Sequence, residues 1–99
     1  MVDVLRGNLK FLVLHILSAG PIHGYGLFKE LEKSYKWRPS CGTLYPVLNT
    51  LEKDSLITSS ETVECGRFKK IYSITPKGIE ALNVMVKELR ESLQQLNLN

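Results

Sequence analysis

Little in this chain invites catalysis or a membrane. No apolar run approaches the roughly 20 residues that a helix needs to cross a bilayer. The opening MVDVLRGN carries Asp3 and lacks a secretory-signal pattern, so the expected location is cytoplasmic. Cysteine is scarce, with only Cys41 and Cys65, and in a reducing compartment both are expected as free thiols. With His15 and His23 they show no CxxC or HxxxH spacing, so no metal site is expected. No nucleophile–base–orienter set, glycine-rich phosphate loop or carboxylate pair stands out. Neither an enzyme nor a bound cofactor is expected.

Ninety-nine residues make one domain with one appended helix. At 43% hydrophobic and 23% charged the composition is that of a globular protein. So short a chain buries a small core, which makes oligomerisation an expected source of stability. The net charge of +3 and a pI near 9.0 are compatible with a polyanionic partner.

The stretch PSCGTLYPVLNTLEKD, residues 39–54, organises the rest. Leu44, Leu48 and Leu51 recur at helical spacing and form a stripe suited to a core. Gly42, Pro46, Asn49 and Lys53 then share the opposite face, with Tyr45 and Thr50 on the flanks. Small, amide, hydroxyl and cationic groups on a half-buried helix suit recognition of a polar polymer. Ser40 is the expected N-cap. Pro46 leaves two starts open. From Cys41, the proline lies inside the helix and removes a bond to the Gly42 carbonyl. From about Thr43, it falls in the first turn, where donors are unpaired anyway.

Residues 1–7 read as a short leader. Asn8 can cap a helix carrying Leu9, Leu12, Val13, Ile16 and Leu17 on one stripe, with Phe11 and Leu14 on other sides. That breadth marks it as the central core helix, with His15 packed or interfacial, and Gly20-Pro21 ends it. A second helix is expected from about Tyr25 to Tyr35, with Phe28 and Leu31 inward. His23 suits a cap or packing role. Gly24 and Gly26 suit close backbone approach, either to the first helix or to a phosphate.

Beyond Asp54 the period becomes alternating. Ile57, Ser59, Glu61 and Val63 form one row, and Phe68, Lys70, Tyr72 and Ile74 another. Glu64-Cys65-Gly66-Arg67 between them is a turn signal, so a β-hairpin is expected with Arg67, Lys69 and Lys70 at and just after its tip. Thr75-Pro76 restarts a helix as cap and first residue. Ile79, Leu82, Val86, Leu89, Leu93 and Leu96 follow at spacings of three and four, an a/d pattern. Ile79 and Leu82 can reach back to the core, whereas Leu89, Leu93 and Leu96 lie too far along the axis. A projecting apolar stripe needs a partner, so Leu82, Val86, Leu89, Leu93 and Leu96 are the candidate dimerisation residues.

Helix, helix, helix, hairpin and long helix make an α+β, mainly α, winged helix-turn-helix. Residues 1–75 form the winged-helix domain and residues 76–99 a C-terminal dimerisation helix. In that arrangement the third helix, 40–54, enters the DNA major groove, while the basic wing, 64–71, follows the backbone or adjacent minor groove.

The motifs LRGNLKFLVLHILSAGPIHGYGLFKELE, PSCGTLYPVLNTLEKDSLI and GRFKKIYSITPKGIEAL resemble, in this order, those of PadR-type transcriptional regulators. The resemblance covers roughly residues 5 to 82. It implies a dimeric winged-helix DNA-binding protein, commonly a repressor, of the short form with a single C-terminal helix. Two departures are Cys41, where the pattern often has proline, and a wing less basic than usual at GRFKK. Carried onto this chain, the resemblance implies phosphate contacts from Ser40, Thr43 and Tyr45, and a thymine methyl contact from Pro46. Asn49 would pair with a base edge, as an amide can with adenine. Lys53 would meet phosphate, and Arg67, Lys69 and Lys70 would serve the wing. The expected partner is double-stranded DNA carrying a near-palindromic operator, bound by a homodimer.

Three further expectations stand beside this one. Cys41 at a helix start is a candidate redox-responsive thiol. A small-molecule effector of unknown identity would bind between the C-terminal helices and the domains, near Trp37 or other aromatics. The rival function is a winged-helix protein-interaction module without specific DNA binding.

Overall fold

The computed structural model describes residues 8–96. The leader 1–7, with the LRG motif, and residues 97–99 of the C-terminal segment lie outside them. The elements are α1 (Leu9–Leu17), β1 (Ile22–His23), α2 (Gly24–Tyr35), α3 (Cys41–Lys53), β2 (Ile57–Glu64), β3 (Arg67–Ile74) and α4 (Pro76–Gln95). This is the mainly helical winged-helix architecture that the periodicity predicts.

α1 is the central core helix. Leu9, Leu12, Val13, Leu14 and Leu17 are all buried, and the helix meets α2, α3, α4 and β3. Burial of Leu14 as well as the main stripe explains why this helix is apolar on several sides. His15 is exposed rather than packed. It stacks on Phe11 and lies 2.9 Å from the Tyr35 hydroxyl through Nδ1. Leu27, Phe28 and Leu31 anchor α2. Lys36, in the left-handed region with φ 59°, ends α2, and Trp37 packs against the core.

β2 and β3 pair antiparallel from Ile57↔Ile74 to Glu64↔Arg67. The two alternating rows therefore meet residue for residue: Ser59 opposite Tyr72, Glu61 opposite Lys70, Val63 opposite Phe68. The tip is a two-residue turn at Cys65 (φ 51°) and Gly66 (φ 74°). Positive φ at both positions matches the twist of the flanking strands.

The sequence does not signal β1. Its two residues pair with Tyr72 and Ile71 and make the sheet three-stranded, in the order β1-β3-β2. β1 also settles the role of the α2 glycines. His23 caps α2 by accepting the Gly26 amide at Nδ1, 3.1 Å away. A Cβ on Gly26 would come within 2.8 Å of Ile22 Cγ1, and one on Gly24 within 3.4 Å of the Tyr45 hydroxyl. The close approaches are thus to β1 and α3, and not to α1.

α4 leaves the domain through a tight junction. The Thr75 hydroxyl accepts the Gly78 amide at 3.0 Å and lies within hydrogen-bonding distance of the Ser55 and Leu56 carbonyls. Lys77 donates to the Asp54 carbonyl at 3.0 Å. Gly78 is buried so closely that a Cβ would overlap the Leu56 carbonyl oxygen. Leu82 is buried, and Ala81, Met85 and Val86 pack against the same core. Ile79 does not reach back: it is 46% exposed, because the inward face of α4 runs through Gly78, Leu82 and Met85. Beyond them Leu89, Leu93 and Leu96 are exposed. The radius of gyration, 14.5 Å, exceeds the about 13 Å of a compact domain of this size.

Candidate nucleic-acid interface

The face of α3 follows from what is buried behind it. Leu44, Leu48 and Leu51 are fully buried. At about 100° per residue their burial turns Gly42, Tyr45, Pro46, Asn49 and Lys53 outward, and all five are exposed. Ser40, Cys41 and Thr43 are exposed at the helix start.

α3 begins at Cys41, so Pro46 lies inside the helix. The carbonyl left without its usual donor belongs to Gly42, where a Cβ would make only an ordinary contact with the Ser40 hydroxyl at 3.9 Å. The Thr50 hydroxyl donates back to the Pro46 carbonyl at 3.0 Å. Ser40 occupies the N-cap position, but its hydroxyl does not cap. It pairs with Thr43 Oγ1 at 3.0 Å, which leaves first-turn amides facing outward. Among the described residues none bonds the side-chain amide of Asn49, which is exposed.

Tyr45 is 39% exposed and packs on α2, edge-on to Phe28 with ring centroids 5.9 Å apart, while its hydroxyl lies against Gly24, beside the Tyr72 ring of the hairpin. Arg38 and Tyr25, not singled out by sequence reasoning, join the same surface. The Arg38 guanidinium lies 5.7 Å from the Tyr25 ring and 5.4 Å from the Phe28 ring, and Lys29 lies 5.0 Å from Tyr25. Stacking of this kind holds a cation in place without neutralising it. The available signal was a basic residue shortly before α3.

The wing cations are not equivalent. Lys69 forms an ion pair with Glu64 at 2.7 Å, and this hydrogen bond and charge hold the Glu64 carboxyl below the usual range. Lys70 lies over the Tyr72 ring at 5.8 Å and opposite Glu61 in register. Arg67, opposite Glu64, is at the tip. Between Glu61 and Lys70, three cations against two carboxylates leave a net charge of +1. Burial pushes the Tyr72 hydroxyl pKa up, with further upward contributions from Tyr45 and Glu52.

These parts meet in one open cleft of roughly 640 Å³ between α2, α3 and the wing. His23, Tyr25, Tyr45, Phe68 and Tyr72 line it together with Arg67, Lys69 and Lys70. Tyr45 and the wing cations are therefore brought together. Asn49 and Lys53 lie further along the exposed face of α3, outside the cleft. Cys41 and Cys65 are both exposed free thiols.

The transcriptional regulator PadR-like family model matches residues 13–84. The chain is 37% identical over 91 residues to transcriptional regulator Rv3488 of Mycobacterium tuberculosis, covering 92% of this chain and 80% of that protein. A transcriptional regulator from Clostridium thermocellum superposes with a TM-score of 0.85 at 28% identity, over 96% of this chain and 95% of that one. Bacillus subtilis PadR, solved in complex with operator DNA, superposes with a TM-score of 0.73 at 26% identity. That match covers 79% of this chain and 47% of the Bacillus chain, so this chain spans about half the length of that relative. With its winged-helix fold and this match across most of its length, the chain belongs to the PadR-like family of transcriptional regulators.

Proposed function

We propose that this regulator binds double-stranded DNA sequence-specifically as a homodimer and represses transcription in the cytoplasm by occupying a near-palindromic operator. One observation carries the reading. The apolar side of α3 is wholly buried, and the opposite side offers Tyr45, Pro46, Asn49 and Lys53 beside the wing cleft. The major groove admits such a helix. Asn49 then reads a base edge and Pro46 a thymine methyl. Ser40, Thr43, Tyr45 and Lys53 hold phosphates with Arg38 and the wing cations. Leu89, Leu93 and Leu96, the exposed part of the α4 stripe, join two copies with the half-buried Val86 beside them, whereas Leu82 of the same stripe is taken up by the domain core. Two recognition helices then meet half-sites about one turn, or 34 Å, apart.

The test is selection of duplexes from a random library by the purified protein, followed by binding at several salt concentrations. The expected logarithmic slope is about −0.9 per phosphate neutralised. Asn49→Ala should relax preference at one base position, at about 1–3 kcal/mol of discrimination. Tyr45→Ala should weaken operator and random DNA alike. A flat salt dependence would favour the protein-interaction reading, which the modest wing charge leaves as the rival.

A further inference from the structure

Phe68 is 80% exposed, the most exposed large apolar side chain among the described residues. Its cross-strand neighbour Val63 is 59% exposed. Alternation along β3 places Phe68, Lys70, Tyr72 and Ile74 on one face. The inner end of that face is part of the core, with Tyr72 buried and Ile74 packed beside it. The outer end, Val63 and Phe68, overhangs the domain. A phenylalanine contributes little to its own fold when so exposed, beyond a cross-strand contact with Val63.

We propose that Phe68, with Val63 beside it, is an apolar wedge that enters the minor groove of duplex DNA and reads how easily a base step opens. The inference rests on the DNA-binding reading above and adds a specificity determinant to it. Charge complementarity names the occupant, because Arg67, Lys69 and Lys70 flank Phe68 in sequence and line the same cleft. Geometry agrees. Tyr45 of α3 and Phe68 of the wing line that one cleft. With α3 in the major groove, a sugar–phosphate strand occupies the cleft and Phe68 lies on its far side. There the minor groove, about 6 Å wide, excludes a helix but admits a side chain from a hairpin tip. Apolar wedges at such positions partly unstack a step and kink the duplex. Pyrimidine–purine steps yield most easily, so the wing would favour TA or CA/TG at the flank of each half-site.

The experiment uses duplexes selected by the wild-type protein, with 2-aminopurine placed at the wing-facing flank. Wild type should raise 2-aminopurine fluorescence several-fold on binding, and should bind a flank carrying TA more tightly than one carrying GC. Phe68→Ala should bind about 10-fold more weakly, raise no fluorescence and lose the flank preference, with its salt slope unchanged. Phe68→Leu should retain most of the signal. Arg67→Ala should instead lower the salt slope by about one while keeping the fluorescence rise. No fluorescence rise with wild type overturns the wedge even if Phe68→Ala binds poorly, since that loss would then be structural. Equal affinity and flank preference in Phe68→Ala also overturns it, and leaves DNA binding by α3 standing. Failure of wild type to select any duplex overturns both readings.

Discussion

α3 and the outer half of α4 are written in the same pattern and end in opposite environments. Each repeats leucine at spacings of three and four. In α3 the repeat disappears into its own domain, with Leu44, Leu48 and Leu51 fully buried. In α4 Leu82 does the same, but Leu89, Leu93 and Leu96 are 42–66% exposed. Periodicity reports that a helix has an apolar face. It does not report whether the covering surface is internal or external. Distance along the axis decides that, because each residue advances about 1.5 Å and the last two turns of α4 pass the edge of the domain. The proposed dimer is the external counterpart of the contact that α3 makes with α1.

The comparison breaks most visibly in stability. Leu48→Ala should remove about 2–5 kcal/mol, the cost of a leucine-sized cavity. The shift in denaturant midpoint should be the same at every protein concentration. Leu93→Ala should leave the fold of the domain intact and act through association, so its effect should grow as the protein is diluted. Melts at two concentrations a hundred-fold apart would separate the two. A concentration-independent loss for Leu93→Ala would mean that α4 folds back on its own domain.

The junction where the two helices diverge comes next in size. Gly78→Ala places a methyl group into the Leu56 carbonyl, where backbone must move, and overpacking of this kind costs about 1–3 kcal/mol. Because Thr75, Gly78 and Leu56 set the direction of α4, the variant should also weaken the proposed dimer when followed by sedimentation. An unchanged melting temperature would show that the contact relaxes without cost.

Much of this was legible in the sequence, for identifiable reasons. The leucine stripe of α3 and the two alternating rows of the hairpin depend on local period, and period survives folding. Val63 meets Phe68 and Ser59 meets Tyr72 because the two-residue turn fixes the register. Thr75-Pro76 marked the start of α4 through chemistry confined to one turn. What stayed hidden depends on contacts distant in sequence. β1 has two residues and no period. Gly78 looks like a weak helix residue until the Leu56 carbonyl is seen against it. Arg38 reads as linker until Tyr25 and Phe28 stack on it. Ser40 has the right identity for a cap, but its hydroxyl pairs with Thr43 instead. Ile79 fits the a/d pattern, yet the core touches α4 on the side of Gly78 and Met85.

The same contrast between internally satisfied and outward-facing groups recurs, at its smallest, in the charge of the wing. Lys69 is held by Glu64, whereas Arg67 stands at the tip and, among the described residues, forms no ion pair. Glu64→Gln should release Lys69 while leaving the hairpin folded, because exposed ion pairs contribute little to stability. DNA binding should then steepen with salt by up to about one unit of logarithmic slope, the weight of one additional phosphate contact. The gain should be equal on operator and random duplexes, since phosphate contacts carry no sequence information. The pH dependence has a definite sign. A carboxyl pKa lowered in the folded state means that the pair's contribution persists through neutral pH and is lost only as acid protonates Glu64, below the usual carboxylate range. Wild type should therefore bind with a constant wing charge around neutrality, and Glu64→Gln should differ from it there by a fixed increment. An unchanged slope in Glu64→Gln would mean that Lys69 already leaves Glu64 for phosphate when DNA arrives, making the pair a resting place for the cation instead of a competitor.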